Sequence, residues 1–268
     1  MNGKFVLISG ASRGIGRAIA VSYARAGAAG IAIIGRSREG LRETQIAMDE
    51  ASRQADSATP QIELIVADLS SLPAVENVKK CVLKAFAGRL DILINNAAYL
   101  EHWKPIAESE PSDWWKTFEI NVFGLYLMCR AFIPVLIDDI RSDRTIIQIS
   151  SAGAFVTSQG GSSYQSTKTW VLRFNDHIQA EYGDAGVIAY SIHPGGVKTM
   201  LSTRMPKALH ATLVDTPELC GDSIVWLTRE RREWLANRYI NVQWDMMQLL
   251  GKRAEIEGND LLKMKLDV

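Results

Sequence analysis

The stretch Phe5-Val6-Leu7-Ile8-Ser9-Gly10-Ala11-Ser12-Arg13-Gly14-Ile15-Gly16-Arg17-Ala18-Ile19 decides the fold class. Phe5 to Ser9 is an apolar run of strand length, a glycine-rich turn follows, and helical apolar spacing begins directly after it. Glycines at such a junction let the backbone turn tightly and approach a pyrophosphate. The helix start offers unpaired N–H groups and the positive end of its dipole. The spacing is G-x-x-x-G-x-G, through Gly10, Gly14 and Gly16, and differs from the G-x-G-x-x-G of other dinucleotide folds. Alone, such a loop reads equally well as a structural turn. Its place after the first strand favours the nucleotide.

Outward from this junction, apolar runs recur at Ile31 to Ile34, Ile62 to Ala67, Ile92 to Ile94, Thr145 to Ile149, Val187 to Ile192 and Tyr239 to Val242. Helical stretches separate most of them. Strands of this kind alternating with helices predict an α/β, Rossmann-type doubly wound fold with a parallel seven-stranded sheet covered on both faces. No linker interrupts the chain, so residues 1–268 are expected to form a single domain. Ala51 to Pro60, the most polar segment, is expected to be a variable surface loop. Met200 to Leu219 has helical apolar spacing and is expected to form a substrate lid, with a tail over residues 245–268.

Composition narrows the function. Hydrophobic residues make up 47% of the 268 and charged residues 22%, a globular balance. Thirty basic and thirty acidic residues cancel, without a basic stripe, which argues against nucleic acid as partner. Three scattered cysteines and four histidines without ligand spacing suit a reducing compartment and make no metal pattern. Ile120 to Ile137 is the most apolar long stretch, but it contains Asn121, Arg130 and Pro134 and reads as a buried helix, not a membrane span. The start lacks a signal-peptide layout, and Leu266, Asp267 and Val268 match no lipidation or peroxisomal signal. A cytoplasmic location is expected.

The second strand ends in Gly35-Arg36-Ser37, where NAD enzymes carry an acid that bonds the ribose 2′-hydroxyl. Here the acid is missing. Arg36, with Arg13 from the glycine loop, suits the 2′-phosphate of NADP(H), which guanidinium groups bind bidentately. The other reading is two exposed surface arginines. Restoring an acid at position 35 is expected to swing preference toward NAD(H). Asp68 and Asn95-Asn96-Ala97-Ala98 follow the third and fourth strands and point toward the same crevice, although Asp68 reads equally as a helix cap.

Tyr164 and Lys168 stand four apart, on one face of a helix. A phenol titrates near 10 and is a poor base at neutral pH, but a neighbouring ammonium favours its ionised form. Ser150 and Ser151 end the fifth strand, where a hydroxyl can orient a substrate oxygen or merely cap backbone. Asn121 is either a structural bridge or part of a polar chain to the site.

Together these motifs resemble the short-chain dehydrogenase/reductase family in order and spacing, over roughly residues 4 to 243. The resemblance rests on Gly10-x-x-x-Gly14-x-Gly16, Asp68, Asn95-Asn96-Ala97, Asn121, Ser151, Tyr164-x-x-x-Lys168 and Pro194-Gly195-x-Val197-x-Thr199. It implies strand order 3-2-1-4-5-6-7 and no metal. Among the catalytic residues, it makes Tyr164 the acid/base, Ser151 the donor to the substrate oxygen, Lys168 a partner of the ribose and the tyrosine, and Asn121 the holder of a relay water. Ser151 is chosen over Ser150 because it stands thirteen residues before Tyr164, as in the family. The implied cofactor set is Gly10, Ser12, Arg13, Gly14, Ile15, Gly16, Arg36, Ser37, Asp68, Leu69, Asn95, Ala97, Tyr164, Lys168, Pro194, Gly195, Val197 and Thr199. Ala98 replaces the usual glycine, Trp244-Asp245 replaces Asp-Gly-Gly, and the long tail resembles a branch common in filamentous fungi.

The expected activity is that of an NADP(H)-dependent carbonyl reductase or alcohol dehydrogenase working on a moderately sized apolar small molecule, as a homodimer or homotetramer. A dinucleotide sensor without catalysis, or a non-redox enzyme performing a cyclisation or dehydration, are the alternatives. Tyr99, Leu100, Trp103, Phe155, Met200 and Met205 are candidate pocket residues. Glu101 and His102 read as surface loop, and His193 as a packing or hydrogen-bonding residue.

Overall fold

A computed structural model of the chain describes residues 1–265; the last three residues of the tail, at its very end, lie outside the described residues. In chain order the main elements are β1 (Phe5–Ser9), α1 (Gly14–Arg25), β2 (Gly30–Gly35), α2 (Arg38–Gln54), β3 (Gln61–Val66), α3 (Leu72–Ala85), β4 (Ile92–Asn95), α4 (Pro111–Phe118), α5 (Leu125–Asp138), β5 (Thr145–Ile149), α6 (Ser162–Tyr182), β6 (Ile188–His193), α7 (Pro217–Thr228), β7 (Arg238–Asn241), α8 (Met246–Gly251) and α9 (Arg253–Gly258). The strands form one parallel sheet in the order 3-2-1-4-5-6-7, as the family resemblance implied.

Successive strand residues face opposite sides, so each apolar strand feeds two cores. Val6 and Ile8 join α1, α2 and α7 on one face, while Leu7 joins α3, α5 and α6 on the other. β1 sits at the centre, with Val6 beside Ile31 of β2 and Ile92 of β4. The order reverses at β1, which places a crevice at the carboxyl ends of β1 and β4.

The glycine turn is fixed by contact as well as by backbone conformation. Gly10 has φ 67°, and a β-carbon there would fall 2.7 Å from Cα of Ala97. One at Gly16 would meet the Gly10 carbonyl oxygen at 2.3 Å. The two loops at the crevice thus touch only because these residues lack side chains.

Two segments differ from the sequence reading, and a third agrees with it. α2 runs on to Gln54, because buried Ser52 bonds the Ala24 carbonyl and holds the last turns against α1; only residues 55–60 are loop. Residues 200–216 are not one helix but the 3-10 turns Ser202–Arg204 and Lys207–Thr212. Thr199 and Ser202 bond each other's backbone and side chains there, and Pro206 breaks the run. Finally, Pro111–Asp138 is long and apolar enough to cross a membrane, with mean hydropathy 1.9, yet 61% of its apolar window is buried against the rest of the chain. Its middle, Glu119–Gly124, is π-helical.

The tail returns to its own sheet. The Tyr239 amide of edge strand β7 donates to the Leu262 carbonyl at 2.7 Å, Arg238 bonds the Leu261 carbonyl and pairs with Asp260, and Ile256 is buried in the core.

Candidate active site

The chemistry-bearing residues gather at the carboxyl edge of β4, β5 and β6. β5 leads into Ser150 and Ser151, which face opposite ways. Ser150 is buried and donates to the Lys168 carbonyl at 3.0 Å, so it staples the strand to α6. Ser151 turns to the crevice, where its hydroxyl accepts from Gly153 N at 3.0 Å and lies near the Tyr164 phenol. Lys168 is buried beneath Tyr164, its ammonium 5.4 Å from the ring centroid and donating to the Ile149 carbonyl at 2.7 Å. Ser151, Tyr164 and Lys168 therefore converge.

The electrostatics differ from the sequence expectation. Burial pushes the Tyr164 phenol up to about 12; the nearby Ser151 hydroxyl opposes this, and the Glu101 carboxylate adds to it. Burial draws Lys168 down to about 8. The lysine thus does not hold the phenol low here. Its ammonium is itself disfavoured and is engaged by a backbone carbonyl.

His193, at the end of β6, accepts from Ala152 N through Nδ1 at 3.1 Å, so its neutral form carries the proton on Nε2. Burial lowers its proton affinity, with Asp215 opposing. It braces the loop beside Ser151, the hydrogen-bonding role its sequence context suggested.

Asn121 lies in the π-helical turn, 3% exposed, with both side-chain ends engaged. Oδ1 accepts from Tyr99 N at 2.7 Å, while Nδ2 donates to the Tyr99 carbonyl at 2.9 Å and the Thr167 hydroxyl at 3.1 Å. The side chain bridges the loop after β4 to α6. π-helical turns often mark functional sites, because they release backbone groups from the helical ladder.

The glycine-turn side of the crevice is open. Arg13 occupies the N-cap position of α1 without a side-chain cap, leaving the first-turn N–H groups of Gly14, Ile15 and Gly16 available beside the glycine turn. Ile15 packs on the core below them. Arg13 and Arg36 are exposed and form no ion pair among the described residues, while Asp68 lies near Arg36 and Lys116, which help hold its carboxyl below the usual carboxylate range after the Ser70 hydrogen bonds. Asp68 caps no helix; it accepts from the amide and hydroxyl of Ser70. Ser37 N-caps α2 through Gly40 N, and the Leu69 side chain is in the core. Gly35 is tightly packed: a β-carbon would lie 3.0 Å from Cβ of Ser12 and 3.2 Å from Cδ2 of Leu41. An aspartate at position 35 would therefore displace the glycine loop, which corrects the expectation that it cleanly tests cofactor preference.

Asn95 also needs correction. Its side chain turns inward, 4% exposed, to Gln148 Oε1 at 3.0 Å and Cys129 Sγ at 3.4 Å. Asn96 faces the crevice instead and donates to the Ser9 and Gly10 carbonyls at 3.0 and 3.1 Å, binding the glycine turn to β4. Ala97 N is held by the Ser9 hydroxyl. In the loop from Pro194 through Gly195 and Val197 to Thr199, Asp215 accepts from Gly196 N and from Gln243 Nε2, both at 2.7 Å. Sequence reasoning missed Asp215, and its spacing carries no signal.

The substrate side is partly rearranged from expectation. Leu100 is fully buried core, and Glu101, read as surface loop, is 2% exposed. The Tyr99 ring lies between Lys116 and Arg204, 5.2 and 4.8 Å from its centroid, and its hydroxyl donates to Asp113, which also holds exposed His102. Met200 and Phe155 are exposed, and Phe155 packs edge-on against Tyr239. A cleft of about 540 Å3 opens between Pro105, Ile106 and the Phe155–Gly160 loop.

The sequence model of the short chain dehydrogenase family matches residues 4–209. A short chain dehydrogenase of Monascus purpureus is 43% identical over 265 residues, covering 99% of this chain and 89% of that protein. One of Emericella variicolor is 37% identical over 266 residues, covering 99% and 90%. Among solved structures, a 3-ketoacyl-(acyl-carrier-protein) reductase from Brucella melitensis complexed with NADH has a TM-score of 0.78 at 24% identity, covering 90% of this chain and 96% of that one. An alcohol dehydrogenase from Thermococcus sibiricus complexed with 5-hydroxy-NADP has a TM-score of 0.74 at 24% identity, covering 89% and 95%.

Proposed function

This chain belongs to the short-chain dehydrogenase family of oxidoreductases, and on that premise we propose that it interconverts a carbonyl and an alcohol with NADP(H), using Tyr164 as general acid/base. The observation that carries the reading is the convergence of Ser151, Tyr164 and Lys168 beside an open helix start and a glycine turn packed closely against the loop after β4.

The residues present fit a nicotinamide dinucleotide. The first-turn N–H groups of α1 suit a pyrophosphate, Arg13 and Arg36 suit a 2′-phosphate, and Lys168 and the Pro194–Thr199 loop lie on the path to Tyr164. When bound, the dinucleotide supplies or accepts the hydride. The chain's own residues handle the oxygen and its proton. Ser151 donates to the substrate oxygen and orients it, while Tyr164 gives that oxygen a proton during reduction and takes it back during oxidation. The raised proton affinity of Tyr164 suits the donor role directly. Lys168 lies within reach to stabilise the phenolate once its ammonium leaves the Ile149 carbonyl. Asn121 locks the loop after β4 to α6, and His193 braces Ser151.

The substrate is proposed to be a moderately sized apolar carbonyl or alcohol, with residues 200–219 as its lid in a single cytoplasmic domain. Purified protein should oxidise NADPH in the presence of such a carbonyl, and NADH far less efficiently. Arg36→Ala should raise the KM for NADPH about tenfold, the loss of one charge-assisted contact, and leave that for NADH unchanged. Tyr164→Phe should abolish turnover while cofactor binding persists. Turnover above a tenth of wild type in Tyr164→Phe would overturn the acid/base role. Equal efficiency with both cofactors would overturn the NADP(H) assignment alone.

A further inference from the structure

The helix that carries Tyr164 starts without a cap of its own. An α-helix leaves its first N–H groups unpaired, and a side-chain oxygen at the N-cap usually meets one of them. The N-cap of α6 is Gly161, which has none. A β-carbon there would lie 3.0 Å from Cη2 of Trp103, so the indole excludes a larger cap residue.

The missing acceptor arrives from 62 residues upstream, on the loop that also carries Trp103. Glu101 Oε1 accepts from Ser163 N at 3.1 Å and Tyr164 N at 3.0 Å, Oε2 accepts from Tyr164 N at 3.1 Å, and the Thr117 hydroxyl donates to Oε2 at 3.2 Å. The carboxylate is buried, and such a group is tolerated only when its lone pairs are occupied. α4 reinforces the junction: Trp114 Nε1 donates to the Ser162 hydroxyl at 3.0 Å, and the Ser163 hydroxyl donates to the Trp114 carbonyl at 2.7 Å.

We propose that Glu101 is a positioning residue for Tyr164, tying the first turn of α6 in place and setting the field in which the phenol exchanges its proton. The positive end of the helix dipole, unopposed, would favour a phenolate in that first turn. Glu101 sets a negative charge against it. Around Tyr164 stand Ser151 from the loop after β5, Lys168 on α6 itself, and Glu101 from the loop after β4; His193 of β6, with Asp215 beside it, lies one step behind, through Ala152. Of these, Glu101 is the group whose charge raises the proton affinity of the phenol.

The proposal rests on Tyr164 as the acid/base, so Tyr164→Phe is measured alongside; activity in that variant sinks the underlying reading, whatever Glu101 does. Glu101→Gln keeps the shape and one acceptor but removes the charge. In alcohol oxidation its kcat/KM–pH limb is expected to move to lower pH by roughly half a unit or more, with the KM for NADP+ unchanged. Ultraviolet difference titration against Tyr164→Phe follows the phenol without turnover and is expected to move the same way. Glu101→Ala, which removes both acceptors, is expected to lower kcat more than tenfold. If the alanine variant does not fold, the glutamine variant decides alone. A limb and a phenol titration unmoved in Glu101→Gln overturn the proposal and leave Glu101 a structural tie.

Discussion

Neighbouring residues with the same side chain do different work here, because strand and turn geometry sends them to opposite sides. Ser150 and Ser151 are one such pair. Ser151→Ala is expected to reduce kcat/KM by about 10²–10³, the usual loss when a donor to a reacting oxygen is removed. Ser150→Ala is expected to spare the chemistry and lower stability by about 1 kcal/mol through the lost bond to the Lys168 carbonyl, measured by urea unfolding. The opposite ranking would reassign the two. Asn95 and Asn96 are a second pair, and sequence spacing could not say which faced the crevice. The convergence of Tyr164, Lys168 and Ser151 was legible because the family resemblance implies it. Glu101 was not, because its partners lie 62 and 63 residues away. Lys168 also sets a pH signature. Its proton affinity drops from 10.5 to about 8 on folding, so between these values the unfolded chain holds a proton that the folded one lacks, and its contribution to stability rises with pH. The stability of wild type minus that of Lys168→Met should therefore grow by on the order of 2 kcal/mol from pH 8 to pH 10. Buried Cys129 and Cys220, raised by burial, lose stability over the same alkaline range, but they are common to both proteins and cancel in the difference. Parallel unfolding curves would refute this.

Among elements, strands were the most legible, with ends correct to within a residue or so, because short apolar runs bounded by polar residues leave little choice of register. Helix periodicity was less reliable. Ile120 to Ile137 reads as a buried helix and is one, but its start winds π-helically around Asn121, a change that apolar spacing does not record. Residues 200–216 carry helical spacing but fold as 3-10 turns, because Thr199 and Ser202 satisfy the backbone locally. The loop from Ala97 to Trp103 has no periodicity at all. It nonetheless carries the partners of Asn121, the acceptor for α6 and the indole that packs on Gly161. Such loops act through contacts distant in sequence, which local patterns cannot report.

At the scale of the molecule, strand order followed from the family resemblance, whereas surface groupings had no signal in the sequence. Trp115 of α4, Phe123 of the π-helical turn and Tyr126 of α5 are 57%, 45% and 41% exposed, and Phe123 stacks on Tyr126. Large apolar side chains grouped on one surface of an otherwise polar protein mark an association face. The chain is expected to be a homodimer or larger at micromolar concentration by light scattering, and Phe123→Lys with Tyr126→Lys is expected to shift it toward monomer. A monomeric wild type would refute the assignment. The tail's return to β7 has a consequence for biosynthesis. Strands β4, β5, β6 and β7 lie in the sheet in the order in which they are made, and the segment around Leu262 bonds the outer edge of β7. On the ribosome, each new strand therefore finds its template already exposed. The outer edge of β7 stays bare until the segment around Leu262 has emerged, and up to that point the nascent sheet is open to sticking and to chaperone capture.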